Sequence, residues 1–293
     1  MFFKSFMSIN FTTWAFVISR IFMLIFTLMK QKKEIIIFTD LDGSLLNKDT
    51  FMFDEIEDYF RELVSRGIKI IPNSSKTEAE LLDFNKLYNL NLSFIAENGS
   101  SIHGLNLIHS NLPEKVSLSR SADQIYKIYN ENISSHLKDK ISFILKLNSK
   151  EQQEIFGLPL DKIELALKRN HSLPIQFNGN EIEKNEFIKI MNNAGLTVQT
   201  GGRLMNICDN VNKSKAMTKT LELIKKEIDE EIMTIGVGDN QNDIDMLRQS
   251  NYACLVKNED FDSSLINIDN LIKSTEPSPK GWADVIKTAL QKV

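Results

Sequence analysis

The feature that most constrains the fold is an apolar run that ends in two acidic residues, "EIIIFTDLDGS" from Glu34 to Ser44. Four consecutive apolar residues, Ile35 to Phe38, indicate a strand that is buried on both faces, as in a parallel sheet. Residues 53–66 have helical spacing and stop at Gly67, and "IKIIP" is typical of a second strand. Strands separated by helices of this length require right-handed crossovers, which predicts a parallel α/β sheet.

The same alternation continues along the chain and is interrupted once. We expect a helix from Ser74 or Ser75 through Leu87, capped by either serine, and then a strand at "LSFIA". Late in the chain, helices are predicted at 213–226, 242–249 and 281–291, around strands at "EIMTIGVGD" and "YACLV". The sequence therefore predicts a doubly wound, mostly parallel, Rossmann-like core, built from residues 32–105 and 200–293.

The interruption, residues 106–199, is richer in Asn, Lys and Ser. It has helical patches at 121–137, 160–168 and 181–194. Short strand candidates lie between them, at "ISFILKL", "LPIQF" and "LTVQT". We interpret this segment as an inserted α/β domain.

Composition excludes some classes of protein. The 293 residues carry a net charge of −4, which gives no sign of a nucleic-acid surface. The two cysteines, Cys208 and Cys254, lie far apart without metal-ligand spacing. They predict neither a disulfide framework nor a zinc site, and they fit a reducing, cytoplasmic location.

Residues 1–31 form an apolar extension that leaves two interpretations open. Phe11 to Met29 is mostly apolar, but Arg20 lies at its centre, where it would oppose membrane insertion. The segment is either a signal anchor or a gene-boundary artefact with the true start at Met29. The segment lacks a small-residue cleavage site, which disfavours a secretory peptide that is removed. We expect membrane contact only if residues 11–29 are an anchor.

The two aspartates at the end of the first strand have a pattern that suits different chemical roles. Functional residues of parallel sheets lie at the carboxyl ends of the strands, where Asp40 stands. Its carboxylate could attack a phosphate ester as a nucleophile, with Mg²⁺ screening the two anions. Asp42 could donate a proton to the leaving oxygen and later accept one from water. A calcium loop does not fit because glycine comes fourth rather than sixth, whereas a plain Asp-Gly turn remains an alternative.

Two further polar segments follow or open predicted elements of the core. In "NSSKT", Ser74 could offer its hydroxyl and N–H group to a phosphoryl oxygen at a helix N-terminus, or could simply cap that helix. In "NKSKA", either Lys213 or Lys215 could neutralise phosphate, although a solvated lysine pair is the simpler interpretation.

The segment "GVGDNQND" follows the strongest late strand. Asp239, Asn242 and Asp243 supply three oxygen-bearing side chains within five residues, which indicates a metal site better than helix capping does. An acidic pair, a hydroxyl, a lysine and an acidic turn, each at a strand end, together predict a phosphate-handling crevice.

At this point the sequence resembles the haloacid dehalogenase-like phosphatases. The four segments correspond to that family's motifs, and the likeness covers residues 32–293. It implies Asp40 as nucleophile and Mg²⁺ ligand, Asp42 as acid/base and, through its backbone carbonyl, as metal ligand. It further implies Asp239 as a metal ligand and Asp243 as a carboxylate that either binds the metal or supports it. Ser74 and Lys213 would bind phosphate, and residues 106–199 would form the cap domain.

The resemblance narrows to the mannosyl-3-phosphoglycerate phosphatases, through "SSKTEAE", "ENGSSI", "GGRLMNI", "PSPKGW" and the cap segment "KRNHSLP". That family makes mannosylglycerate, a compatible solute. Two positions depart from its pattern. Leu173 stands where an acidic residue is expected beside the sugar contacts, and Ser214 replaces a glycine. Glucosyl-3-phosphoglycerate is therefore an alternative substrate.

The implied substrate carries a phosphate and a carboxylate, which cationic side chains would match. We expect Arg169 and Ser172 to hold the glycerate end, and Asn98 and Arg203 to line the pocket wall. Lys76 is a further phosphate-binding candidate. The same fold could also carry a sugar-phosphate phosphomutase or a non-catalytic binding protein, and the sequence does not indicate an oligomeric state.

Overall fold

A computed structural model describes residues 33–201 and 204–293. The apolar segment 11–29 and Arg203 lie outside these ranges. Within them, no helix combines the length and the apolar character needed to cross a membrane.

The core is a five-stranded sheet in which every neighbouring pair is parallel. Its spatial order is β12–β11–β10–β1–β2. The five strands are β1 (Glu34–Thr39), β2 (Lys69–Pro72), β10 (Ile232–Gly238), β11 (Tyr252–Lys257) and β12 (Ile272–Pro277). In β1, which lies between β10 and β2, Ile37 faces one apolar cluster while Ile36 and Phe38 face another. This alternation confirms the strand that the apolar run predicts, because both of its faces are buried.

Helices cover both faces of this sheet. They are α1 (Glu57–Ser65), α2 (Glu78–Leu87), α8 (Lys213–Ile224), α9 (Ile244–Gln249) and α10 (Lys280–Leu290). Residues of α1, α2 and α10 pack into the cluster around Ile37 and Trp282, and residues of α8 and α9 pack into the cluster around Phe38. The doubly wound core is therefore confirmed.

A small antiparallel sheet, which the sequence did not predict, lies beside β2. It comprises β3 (Phe94–Ala96), β4 (Ser101–His103) and β5 (Lys115–Ser117). The predicted strand "LSFIA" joins this sheet, and only an isolated bridge between Asn73 and Ile95 connects it to β2. Strands of three residues carry too little periodicity to be predicted from sequence.

The inserted domain has a four-stranded antiparallel sheet in the order β6–β7–β9–β8. Its strands are β6 (Ile141–Phe143), β7 (Ser172–Phe177), β8 (Thr197–Gly201) and β9 (Leu204–Cys208). Its helices are α3 (Ala122–Asn132), α4 (Ser135–Lys138), α5 (Ser149–Phe156), α6 (Leu160–Ala166) and α7 (Glu181–Asn193). Residues of α3 and α7 pack on one face of the sheet around Phe187 and Ile175.

Strand pairing crosses both predicted domain boundaries. β5 pairs with β4 beside the core, so the predicted boundary at 105/106 separates paired strands. β9 pairs with both β7 and β8, so the inserted sheet continues to Cys208, beyond the predicted boundary at 199/200. The reason is that β8 and β9 form a hairpin and cannot belong to different domains.

The helix after β2 begins later than predicted. Neither Ser74 nor Ser75 caps it; the cap is Thr77, whose side chain accepts a hydrogen bond from the Glu80 N–H group while Glu80 bonds the Thr77 N–H group in return. This capping box satisfies two backbone N–H groups that the start of a helix otherwise leaves unpaired. Ser74 is thereby left in the loop at the end of β2.

Candidate active site

The predicted polar residues meet at the carboxyl edge of the parallel sheet. Asp40 follows β1, Ser74 follows β2, Asp239 follows β10, and Lys213 begins α8. The Asp40 N–H group donates to the Val237 carbonyl at 2.9 Å, which holds the chain against β10 as it leaves β1. Neighbouring parallel strands therefore bring residues that are distant in sequence into one crevice.

Lys213 lies at the centre of the crevice and is fully buried. Its Nζ atom is 2.6 Å from Asp40 Oδ1 and 2.7 Å from Asp243 Oδ1. Burial opposes the charged amine, but Asp243 and Asp40 outweigh it and raise the Lys213 pKa. Lys215, the other lysine considered, is exposed and donates to Asn210 instead.

Three buried carboxylates surround this lysine. Oxygen atoms of Asp40, Asp239 and Asp243 lie within 4.8 Å of one another. Burial and the nearby charges of Asp40 and Asp243 raise the pKa of Asp239 to about 7. One lysine against three carboxylates leaves an excess of negative charge, and hard oxygen donors are what Mg²⁺ prefers. The residues present therefore fit a divalent cation.

Asp243 is oriented from two sides. Its Oδ2 atom accepts hydrogen bonds from the N–H groups of Asp239 and Asn240, each at 3.1 Å, while Oδ1 faces Lys213. Asn242, in contrast, is exposed. Asn242 lies in the short 3₁₀ turn Gln241–Asp243, and its role as a metal ligand stays a prediction.

Two residues that sequence reasoning missed hold Asp239. The Ser44 hydroxyl donates to Asp239 Oδ1 at 2.8 Å, and the Asn258 amide donates to Oδ2 at 2.8 Å. Asn258 directly follows β11, so the rule that identified the other strand-end residues would also have found it. Ser44 belongs to the first acidic segment but has no distinguishing signal of its own.

Gly43 is required by the close approach of this loop to the acidic cluster. Its φ is +84°, a left-handed conformation that favours glycine. A β-carbon at this position would lie 2.7 Å from Asp239 Oδ2. Any side chain here would displace the Asp239 carboxylate.

Asp42 has a cation of its own. Its Oδ2 atom is 2.9 Å from Lys76 Nζ, and its Oδ1 atom is buried without a hydrogen-bond partner among the residues described. Burial opposes the charge on Lys76, but Asp42 and Glu80 outweigh it and raise the Lys76 pKa. Lys76 thus contacts the acid/base candidate, and its predicted contact with phosphate stays a prediction.

Ser74 is buried next to this pair, at the end of β2. Its N–H group donates to the Ile95 carbonyl at 3.1 Å, so the expectation that this N–H group faces a ligand was wrong. Its hydroxyl accepts from the Lys76 N–H group at 3.3 Å and retains its own proton for a ligand. The amide nitrogen of Asn98, from the neighbouring turn, donates to Gln199 of the inserted domain at 3.0 Å.

The predicted residues of the inserted domain have different positions. Arg169 Nη1 donates to the Ser75 carbonyl at 3.1 Å, which brings its guanidinium to the Ser74 loop. Ser172 is buried, and its hydroxyl donates to Glu97 at 2.5 Å. The contact between Ser172 and a ligand stays a prediction, and in this arrangement the hydroxyl proton of Ser172 is taken by Glu97.

Comparison with known proteins places the chain in a family. A family model described as haloacid dehalogenase-like hydrolase matches residues 37–275. The chain belongs to this family of hydrolases.

Curated relatives and solved structures extend the comparison. The chain is 27% identical over 270 residues to the glucosyl-3-phosphoglycerate/mannosyl-3-phosphoglycerate phosphatase of Persephonella marina, covering 88% of this chain and 98% of the relative. It is 29% identical over 269 residues to the protein of that name from Methanococcoides burtonii, covering 88% and 97%. Among solved structures, a haloalkanoate-superfamily phosphatase from Bacteroides thetaiotaomicron matches with a TM-score of 0.63 at 15% identity, covering 87% of this chain and 95% of that one.

Proposed function

We propose that the protein is a Mg²⁺-dependent phosphatase that forms an aspartyl-phosphate at Asp40. The observation that carries the proposal is the buried Asp40 carboxylate, held by Lys213 at 2.6 Å inside a cluster of oxygen donors. A lysine in this position neutralises phosphate oxygens near the nucleophile and keeps Asp40 oriented towards the crevice. Asp40, Asp239 and the Asp42 backbone carbonyl are the proposed metal ligands, and Asp243 supports them.

The proposed reaction has two steps. First, a carboxylate oxygen of Asp40 attacks phosphorus, the bond from phosphorus to the ester oxygen breaks, and protonated Asp42 gives its proton to the leaving oxygen. Second, Asp42 removes a proton from water, the water oxygen attacks phosphorus, and the bond from phosphorus to Asp40 breaks. Inorganic phosphate leaves and both aspartates return to their starting state. A bound Mg²⁺ would supply charge screening between the nucleophile and the phosphate.

We further propose a glycosyl-3-phosphoglycerate as the substrate. Support comes from the two relatives named for both the glucosyl and the mannosyl ester, each covered almost completely by this chain. Arg169, close to the Ser74 loop, is the proposed partner of the glycerate carboxylate, since guanidinium and carboxylate match bidentately. The product would be glucosylglycerate or mannosylglycerate. The buried free thiols of Cys208 and Cys254 are consistent with a reducing cytoplasm.

The non-catalytic alternative is the weaker one. A binding protein on this fold would be expected to have lost at least one charged residue of the crevice. Asp40, Asp42, Lys213 and Asp239 are all present, and the ion pairs of Lys213 join the nucleophile to the acidic turn.

A substrate panel tests the proposal. Phosphate release with Mg²⁺ should be measured from mannosyl-3-phosphoglycerate, glucosyl-3-phosphoglycerate, simple hexose phosphates and a hexose bisphosphate. We expect the highest kcat/KM for one or both glycosyl esters. Preference for a simple hexose phosphate would overturn the substrate assignment, and isomerisation without phosphate release would indicate a phosphomutase. Release from none of them would favour the binding protein.

A further inference from the structure

Glu97 connects the core to the inserted domain; it begins the segment "ENGSSI", but the sequence assigned it no role of its own. It is buried and has a φ of +47°, and the next residue, Asn98, has a φ of +55°. Non-glycine residues in this left-handed region cost energy and are kept where the surrounding structure imposes them. Two such residues in succession point to a constrained turn.

The backbone of this turn is fixed to the loop that follows β2. The Glu97 N–H group donates to the Lys76 carbonyl at 2.9 Å, and the Asn98 N–H group donates to the Ser74 carbonyl at 2.9 Å. The Glu97 side chain is therefore held at a set distance from both the proposed phosphate contact, Ser74, and the partner of Asp42, Lys76.

The carboxylate of Glu97 faces the opposite way, into the inserted domain. It accepts hydrogen bonds from the Asn170 N–H group at 2.8 Å, the His171 N–H group at 3.3 Å and the Ser172 hydroxyl at 2.5 Å. All three donors belong to the segment that directly follows Arg169. Hydrogen bonds to an ionised acceptor are shorter and stronger than neutral ones, so one carboxylate fixes the whole segment.

From this geometry we propose that Glu97 is a positioning residue for Arg169. Glu97 fixes residues 170–172 relative to the Ser74 loop, and so holds the Arg169 guanidinium where it already contacts Ser75 at 3.1 Å. We expect an arginine in contact with the loop that carries Ser74 to bind the carboxylate that neighbours the phosphate of the substrate. The proposal rests on the proposed function. It gives Glu97 an indirect role, through Arg169, in the recognition of a phosphate ester with an adjacent carboxylate.

Glu97→Gln, which keeps the side-chain shape and removes the charge, tests the proposal on two substrates. One is glucosyl- or mannosyl-3-phosphoglycerate, and the other is glycerol 2-phosphate, which lacks the carboxylate. We expect kcat/KM for the glycosyl ester to fall about tenfold, mainly through a higher KM, and kcat/KM for glycerol 2-phosphate to change by less than about twofold. Equal losses on both substrates would overturn the proposal, because they would show a general structural role.

A double-variant comparison provides the second readout. In an Arg169→Ala background, Glu97→Gln should lower kcat/KM for the glycosyl ester little further. The reason is that both changes remove the same interaction, the one between Arg169 and the substrate carboxylate. A full additional tenfold loss would overturn the proposal. Glu114→Gln, at an exposed glutamate of the core, is the matched control and should behave as wild type. Thermal melting of each variant checks folding, and Ser172→Ala, which removes only the 2.5 Å bond, replaces Glu97→Gln if that variant does not fold.

The outcome also separates this proposal from the proposed function. Should wild-type protein hydrolyse neither glycosyl ester, the substrate assignment fails. The comparison is then made between 3-phosphoglycerate and glycerol 1-phosphate, which differ at one carbon, a carboxylate in the first and a hydroxymethyl group in the second. A selective loss of 3-phosphoglycerate turnover in Glu97→Gln would still support the positioning role, and an unchanged ratio of the two rates would refute it.

Discussion

Asp40 and Asp42 are separated by one residue but have different cationic partners. Lys213 lies 2.6 Å from Asp40, and Lys76 lies 2.9 Å from Asp42. Two neighbouring carboxyl groups at the end of one strand thereby contact two separate lysines. This arrangement keeps the two carboxylates in distinct orientations, as a nucleophile and an acid/base require.

Replacing Lys76 with methionine should remove the orientation of Asp42. We expect Lys76→Met to lower kcat/KM by about 10- to 100-fold on both the glycosyl ester and glycerol 2-phosphate. Both substrates are alkyl phosphates, so the leaving oxygen of each needs a proton from the acid/base residue. Phosphate release measures the effect. Lys127→Met is the control, since Lys127 is exposed on α3 and pairs with Glu131 at 3.9 Å. Unchanged turnover in Lys76→Met would contradict a role for this ion pair.

The acidic cluster predicts a link between Mg²⁺ and stability. Asp239 is buried beside two carboxylates, so a bound cation should stabilise the folded protein, by about 2.7 kcal/mol at a hundredfold excess over Kd. Melting curves with Mg²⁺ and with EDTA measure this, and Asp239→Asn should abolish the difference. The exposed Asp49→Asn is the control. If the melting temperature of the wild-type protein is the same with Mg²⁺ and with EDTA, the result would argue against the metal site.

At the scale of elements, the small sheet beside the core carries a buried histidine. His103 of β4 stacks on Phe94, contacts Ser101 at 2.8 Å and lies 3.3 Å from Glu78, which also pairs with Lys115. Burial lowers the pKa of His103 to about 4, although Glu78 opposes the shift; Lys115 and His171 lower it further.

This shift predicts how stability depends on pH. Between pH 6.5 and 4 the unfolded chain binds a proton at His103 and the folded protein does not. The free energy of unfolding therefore falls as the pH falls, by at most about 1.4 kcal/mol per pH unit from this residue. Between about pH 7 and pH 4.5, we expect the melting temperature of His103→Gln to decrease less than that of wild type. The exposed His136→Gln should follow wild type. Parallel curves for all three proteins would show that His103 does not titrate as described.

Elements that bury two faces were predictable from the sequence, and short paired strands were not. β1 and β10 show continuous apolar runs, and the acidic residues at their ends follow from the edge rule for parallel sheets. The strands β3 to β5 are too short to show a period, and the true extent of the inserted sheet depends on pairing between β7 and β9, which are distant in sequence. The partners of Lys76 and Ser172 were also missed, because a motif gives the residue type but not the direction of its side chain.

At the scale of the whole molecule, the two connections between core and inserted domain are joined to each other. Asp209, on the return connection, accepts hydrogen bonds from the Arg120 N–H group at 2.6 Å and the Ser119 hydroxyl at 3.1 Å, and it pairs with the Arg120 guanidinium. Further contact comes from the Thr77 hydroxyl, which donates to the Leu165 carbonyl at 2.9 Å. The inserted domain is thus attached on the side of the crevice where Arg169 meets the Ser74 loop.

The most direct test of the account is phosphate release by Asp40→Asn, measured with Mg²⁺ on the best glycosyl-3-phosphoglycerate. An amide in place of the carboxylate keeps the shape of the side chain but cannot form the acyl-phosphate. We predict that turnover falls at least about a thousandfold while the protein remains folded by circular dichroism, and that Asp49→Asn, in the same loop, keeps wild-type turnover. Hydrolysis by folded Asp40→Asn at the wild-type rate would contradict the assignment of Asp40 as the nucleophile.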